Sequence, residues 1–135
     1  MSEITDLLNK AAAGELQAIL QYMWQHVMIG GLTSPQIGEV LRSTSIDEMK
    51  HYEKIAERLD YLGAVPTTVP DPIAHSKSTK GMLKDDIKAE LDAIKLYRHI
   101  LEVAMKEKDY ATAELFEDIL ADEEGHHHAY LTIME

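Results

Sequence analysis

One pattern, used twice, constrains this chain of 135 residues more than anything else in it. Asp47-Glu48-Met49-Lys50-His51 and Asp122-Glu123-Glu124-Gly125-His126 both read Asp-Glu-x-x-His. Glu15 precedes Glu48 by 33 residues, and Glu90 precedes Glu123 by 33, so the two sets are related by a shift of 75. The chain reads ELQAI from Glu15 and ELDAI from Glu90, and Tyr22 and Tyr97 fall at the same offset. The spacing predicts one helical hairpin used twice, with a Glu on its first helix and Glu-x-x-His on its second.

The periodicity supports four helices. The first is expected from about Ser2 to Ile29, with Leu8, Glu15 and Tyr22 recurring every seven on a face filled by Ile4, Ala11, Ala12, Ile19 and His26. Gly30-Gly31 stops it. Ser34 is the expected N-cap of the second helix, with Pro35 at its first position and Gly63 at its end. Its inward stripe is Ile37, Leu41, Thr44, Glu48, His51, Ile55, Leu59 and Leu62. Residues 64–80 carry Pro66, Pro70 and Pro72 and read as a connection, long for a compact domain. Neither half could bury its stripe alone, so we expect a crossover within one domain, 1–135, between hairpins of about 2–63 and 81–134. The third helix is expected from Gly81 or Leu83 to Lys106, with Leu83, Ile87, Glu90, Ile94, Tyr97, Leu101 and Ala104 inward. After a polar turn at 106–109 the fourth runs to near Met134, with Phe116, Ile119, Glu123, His126, Tyr130 and Ile133 on one face.

A Glu therefore sits in the core register of every helix. Buried carboxylates are costly unless paired or bound to metal. No Lys or Arg lies on the four stripes, so no buried cation offsets Glu15, Glu48, Glu90 and Glu123. Two divalent ions would neutralise the set. Residues three apart share a helix face, so His51 joins Glu48 and His126 joins Glu123. One Glu from each of two helices and Glu-x-x-His from each of the others is the inventory of a carboxylate-bridged dinuclear centre in a four-helix bundle. Oxygen donors with one imidazole per metal suit Fe or Mn, with Zn a possible occupant that cannot change oxidation state. Glu48 and Glu123 are expected to bridge, Glu15 and Glu90 to be terminal, and each His to bind one ion of a pair roughly 3.5–4 Å apart.

Composition narrows the class. Hydrophobic content of 45% with 27% charged residues is that of a globular chain, and no apolar run approaches a membrane span. The N-terminus lacks a basic and then apolar leader. With no cysteine there is no disulfide, iron–sulfur cluster or cysteine-bound module, which fits a cytoplasmic protein. A net charge of −11 speaks against a nucleic-acid partner and suits the handling of cations.

GELQAILQY, SIDEMKH, AELDAIKLYR and ILADEEGH resemble the four ligand-bearing segments of bacterioferritin, and the likeness covers nearly the whole chain. It implies an all-α, ferritin-like four-helix bundle with a long crossover between helices 2 and 3. It also implies a ferroxidase that binds two Fe(II) at Glu15, Glu48, His51, Glu90, Glu123 and His126, passes electrons to O2 or H2O2, and stores Fe(III) in a homo-oligomeric shell. Met49 lies about 100° of helix turn from Glu48 and should face outward, as a subunit contact would. It also matches the family's methionine that binds the iron of haem, or a related porphyrin, across a two-fold dimer interface. Tyr22 matches a tyrosine that acts as a one-electron donor, although a core aromatic would sit equally well there, as Tyr97 does in the repeat. A ferredoxin-type reductant is the implied electron partner.

The chain also departs from the family. It ends close to the end of the fourth helix, where relatives continue into a fifth, which favours a 12-subunit shell over 24, with a dimer as the fallback. The inner-surface iron site keeps Asp47 but has Ser43 where a His is usual, and the tryptophan after the last ligand is Ala129; Trp24 is the one candidate substitute. His127 and His128 read as surface or interface residues, and His26 and His99 as either second-layer or core polar groups. Two other readings remain: a small rubrerythrin-like diiron peroxidase or oxidase without storage, and a metal-stabilised bundle without turnover.

Overall fold

A computed structural model describes residues 2–135. Four helices make up most of it: α1 (Glu3–Met28), α2 (Ser34–Tyr61), α3 (Thr79–Lys106) and α4 (Tyr110–Met134). No strand occurs among the described residues, and no helix is long and apolar enough to cross a membrane. The all-α four-helix bundle expected from the sequence is the architecture found. α1 packs mainly on α2 and α3 mainly on α4; α1 also meets α3, while α2 and α4 touch more sparingly.

Local chemistry sets each boundary. Ser2 caps α1 by accepting the Thr5 N–H. The N-cap of α2 is Thr33 rather than Ser34, because the Thr33 carbonyl already takes the first helical bond, from Ile37 N–H at 3.1 Å. Pro35 is then the second helical residue. Leu62 caps the end of α2, and Gly63 then turns with φ 86° and lets Ala64 N–H reach Leu59 O at 2.9 Å, a closure that favours glycine. α3 starts at Thr79, earlier than its first core residue implied, because Ser78 accepts the Gly81 N–H at 3.0 Å. Thr79 and Lys80 have no apolar side chain to announce that turn. Asp109 caps α4 by accepting from Thr112 N–H.

The crossover climbs alongside α1. Asn9 holds Val65 O and Thr67 N–H, Asp71 N–H reaches Ala13 O, Ala74 N–H reaches Gln21, and Thr79 hydroxyl reaches Gly30 O. It therefore delivers α3 to the end of the bundle where α1 stops and α2 starts.

The apolar core has two parts. One gathers Leu8, Ala11, Ala12, Ile55, Leu59, Ile100 and Phe116; the other gathers Ala18, Tyr22, Leu41, Leu83 and Tyr130. The residues between them are polar, and they form the site.

Candidate metal centre

Glu15 and Glu90 enter from α1 and α3, Glu48 and His51 from α2, and Glu123 and His126 from α4. Each Glu is 1% exposed. Ligand atoms of Glu15, Glu48, His51 and Glu123 lie within 4.8 Å of one another, and so do those of Glu48, Glu90, Glu123 and His126. Glu48 and Glu123 belong to both groups. The six residues singled out by the repeat thus come together, with the inner pair shared and the outer pair divided.

The imidazoles show what the cluster lacks. His51 Nε2 lies 2.8 Å from Asp122, and an exposed carboxylate there calls for an N–H. Nδ1 is then left with a lone pair, yet it sits 2.9 Å from both Glu15 and Glu48. These short contacts are not hydrogen bonds: His51 Nδ1, Glu15 Oε2, Glu48 Oε1, Glu90 Oε2 and Glu123 Oε2 are all buried without a partner. Lone pairs facing lone pairs in a buried site require a positive charge between them. His126 is held the same way from outside, with Nε2 3.1 Å from Asp47, but its Nδ1 keeps a hydrogen bond to Glu123 at 3.1 Å.

Electrostatics agree. Burial pushes the Glu15, Glu48 and Glu90 carboxyls well above the usual range and Glu123 to about 8; carboxylates of the same cluster add to each shift. Burial would lower the His126 ring, but Glu123, Glu90 and Asp47 outweigh it and raise the ring to about 9. In the metal-free protein, protons carry the charge that ions would supply. The donor set is what a divalent pair needs, with carboxylate oxygens and one imidazole nitrogen on each side.

Tyr22 is fully buried and donates from its hydroxyl to Glu90 at 2.5 Å. Burial holds this phenol well above its ordinary pKa, so it is a neutral donor in contact with the cluster. Tyr97, fully buried beside Glu15, stands at the equivalent place in the repeat. Met49 is 53% exposed on the outer side of α2.

Asp47 and Asp122 are the residues whose part the sequence reading missed. Each reaches the His of the other hairpin. Their signal was present, as the first letter of both Asp-Glu-x-x-His runs, but nothing within one hairpin shows a bond made to the other. Asp47, the residue kept from the family's inner-surface pair while Ser43 replaces the His, is bonded to His126. His26 and His99 join neither expected group: His26 Nδ1 lies 2.7 Å from Gly38 O and ties α1 to α2, and His99 is exposed. His127 is half-buried and His128 exposed. Trp24 packs edge-on against His75 of the crossover, away from the cluster.

A four-helix bundle closed around two overlapping Glu/His groups defines a ferritin-like, carboxylate-rich protein. The model for the ferritin-like domain matches residues 5–135, and the chain belongs to that family. Bacterioferritins are among its curated relatives. That of Desulfovibrio desulfuricans is 34% identical over 93% of this chain and 70% of its own length, and that of Brucella melitensis is 31% identical over 92% and 78%. Among solved structures, ferritin-like, diiron-carboxylate proteins from Bacillus anthracis superpose with a TM-score of 0.96 at 27% identity, covering 100% of both chains. Rhodobacter capsulatus bacterioferritin, with a metal-free dinuclear site and haem iron in a crystallographic special position, gives 0.89 at 29% identity over 98% of this chain and 83% of that one.

Proposed function

We propose that the chain is a bacterioferritin-like ferroxidase. It binds two Fe(II) as substrate at Glu15, Glu48, His51, Glu90, Glu123 and His126, oxidises them with O2 or H2O2, and passes Fe(III) to storage in a homo-oligomeric cytoplasmic shell. The observation that carries this reading is the sharing of Glu48 and Glu123 between two otherwise separate ligand groups. Shared carboxylates hold two ions close enough for one oxidant to take an electron from each. Paired Fe(II) ions give up two electrons, and O2 takes them with two protons to leave H2O2. The chain supplies the rest: Asp122 and Asp47 fix the rings so that each Nδ1 faces inward, and Tyr22 is placed to give O2 the second electron when a single Fe(II) is bound, its proton passing to Glu90. Mn and Zn fit the same donors, and Zn would block turnover.

A cleft of about 460 Å³ between α1, α3 and the crossover opens onto Glu15, Glu48, Glu90 and Glu123 and gives substrate a way in. Met49 presents its thioether at the surface, where it would hold a haem together with the same residue of a second copy meeting it on a two-fold axis. Haem-replete expression should then yield protein with bound porphyrin, and Met49→Ala protein without it. A shell built from such dimers, of twelve subunits in preference to 24, and a ferredoxin-type reductant complete the reading.

Anaerobic protein given Fe(II) and then O2 tests the centre. The wild type should oxidise iron rapidly, and Glu48→Ala should do so no faster than free solution; equal rates would remove the centre from the account. Particle mass separates storage from a small peroxidase or oxidase, since a dimer encloses no cavity.

A further inference from the structure

Beside the cleft lies a second set of buried oxygens that iron oxidation at the six residues does not use. Asp86 of α3, one helical turn before Glu90, is fully buried. Gln21 Nε2 donates to its Oδ1 at 3.0 Å. The orientation of that amide is fixed, because Gln21 Oε1 accepts Ala74 N–H at 3.0 Å and Gln17 Nε2 at 3.3 Å. Gln25, one turn further along α1 and also fully buried, reaches the same carboxyl, and its Nε2 makes a long 3.4 Å contact with Met82 O.

Three acceptors are left over. Asp86 Oδ2, Gln25 Oε1 and the buried Oδ2 of Asp85 have no hydrogen-bond partner. The groups that act on Asp86 are Gln21, Gln25 and Asp85, none of them cationic. Burial raises the Asp86 carboxyl to about 7, so near neutral pH it is about half ionised with no counter-charge. Orphaned oxygens of this kind cost free energy unless a donor or a cation meets them.

We propose that Asp86, Gln25 and Asp85 form a separate site for a hard divalent cation, and that Fe(II) rests there on its way to the paired centre. The donors are all oxygen, which suits hard cations, and the absence of imidazole and of a shared carboxylate makes this the weaker site. The cleft makes the connection. Asp85 lines it together with Glu15 and Glu90, and so does Gln21, which holds Asp86, so the site borders the cavity that opens onto the paired centre. The route rests on the ferroxidase reading; the site does not.

The test is anomalous diffraction at the iron edge from crystals of the intact wild-type assembly soaked anaerobically in Fe(II), with anaerobic titration in solution. We expect two peaks among the six Glu and His ligands and a third between Asp86 and Gln25, hence three ions per chain. Asp86→Asn keeps the shape, removes the charge, and should lose the third peak, bind two ions, and oxidise Fe(II) several-fold more slowly at sub-saturating iron. Glu48→Ala should lose the pair and keep the third. A third peak without the pair would uphold this site and sink the ferroxidase reading. A wild type showing only the pair would overturn the proposal independently of any variant, because a proton or water on Asp86 gives no anomalous signal. An unchanged ion count in Asp86→Asn would overturn it too.

Discussion

Each inward-facing imidazole is aimed by a carboxylate that lies outside the buried cluster. Asp122 takes the outer nitrogen of His51 and Asp47 takes that of His126, so both rings offer Nδ1 inward. Groups in this outer layer raise ligand basicity as well as orienting the ring, and losing one typically costs 10–100-fold in metal affinity. Asp122→Asn and Asp47→Asn should therefore each weaken metal binding by about that factor in competition titrations while leaving helical content unchanged. Proton balance gives a second outcome. Glu123 at about 8 and His126 at about 9 are protonated at pH 7 without metal. Loading the site should release roughly two protons or more per chain, read by calorimetry in buffers of different ionisation enthalpy. Release of none would mean the ligands already stand ionised.

The elements show which part of the design was legible in sequence. Core positions follow the helical period, so Leu8, Leu41, Ile55, Ile94 and Phe116 lie where periodicity put them. Glu15, Glu48, Glu90 and Glu123 were equally legible, because an acidic residue in an apolar register conflicts with burial and a repeat makes chance a poor explanation. Helix starts were less so. Thr33 and Ser78 are set by which carbonyl or hydroxyl takes the first free N–H, a competition settled within one turn and silent in apolar spacing. Contacts between hairpins were least legible. Arg58 of α2 bonds both the Asp109 cap, at 2.7 Å, and Thr112, at 2.9 Å, at the start of α4. Charge-assisted bonds at a half-buried helix cap stabilise by about 1–2 kcal/mol, so Arg58→Ala should lower the melting temperature by several degrees with iron binding unchanged.

At the scale of the molecule, the fold trades stability for the centre. Four carboxyls held above their unfolded pKa, and His126 held above its own, favour the protonated state in the folded chain. For such groups the contribution is fully present below the unfolded values, near ~4.3 for Glu and ~6.5 for His, and is lost as pH rises through the folded ones. The metal-free protein should thus lose stability steadily from about pH 5 to about pH 9. Divalent ions take over the charge balance, and the loaded protein should be more stable at pH 8 and flatter across that range. Thermal melts with and without metal at several pH values check this; a metal-free protein most stable at pH 8 would contradict it. The charges pull the two hairpins together only when something positive lies between them.

X-ray absorption on the anaerobic Fe(II)-loaded chain tests that claim most directly. An iron scatterer roughly 3.5–4 Å from each iron is expected in the wild type, and its loss in Glu48→Ala. Wild-type iron bound as isolated ions, with no second iron at that distance, would contradict it.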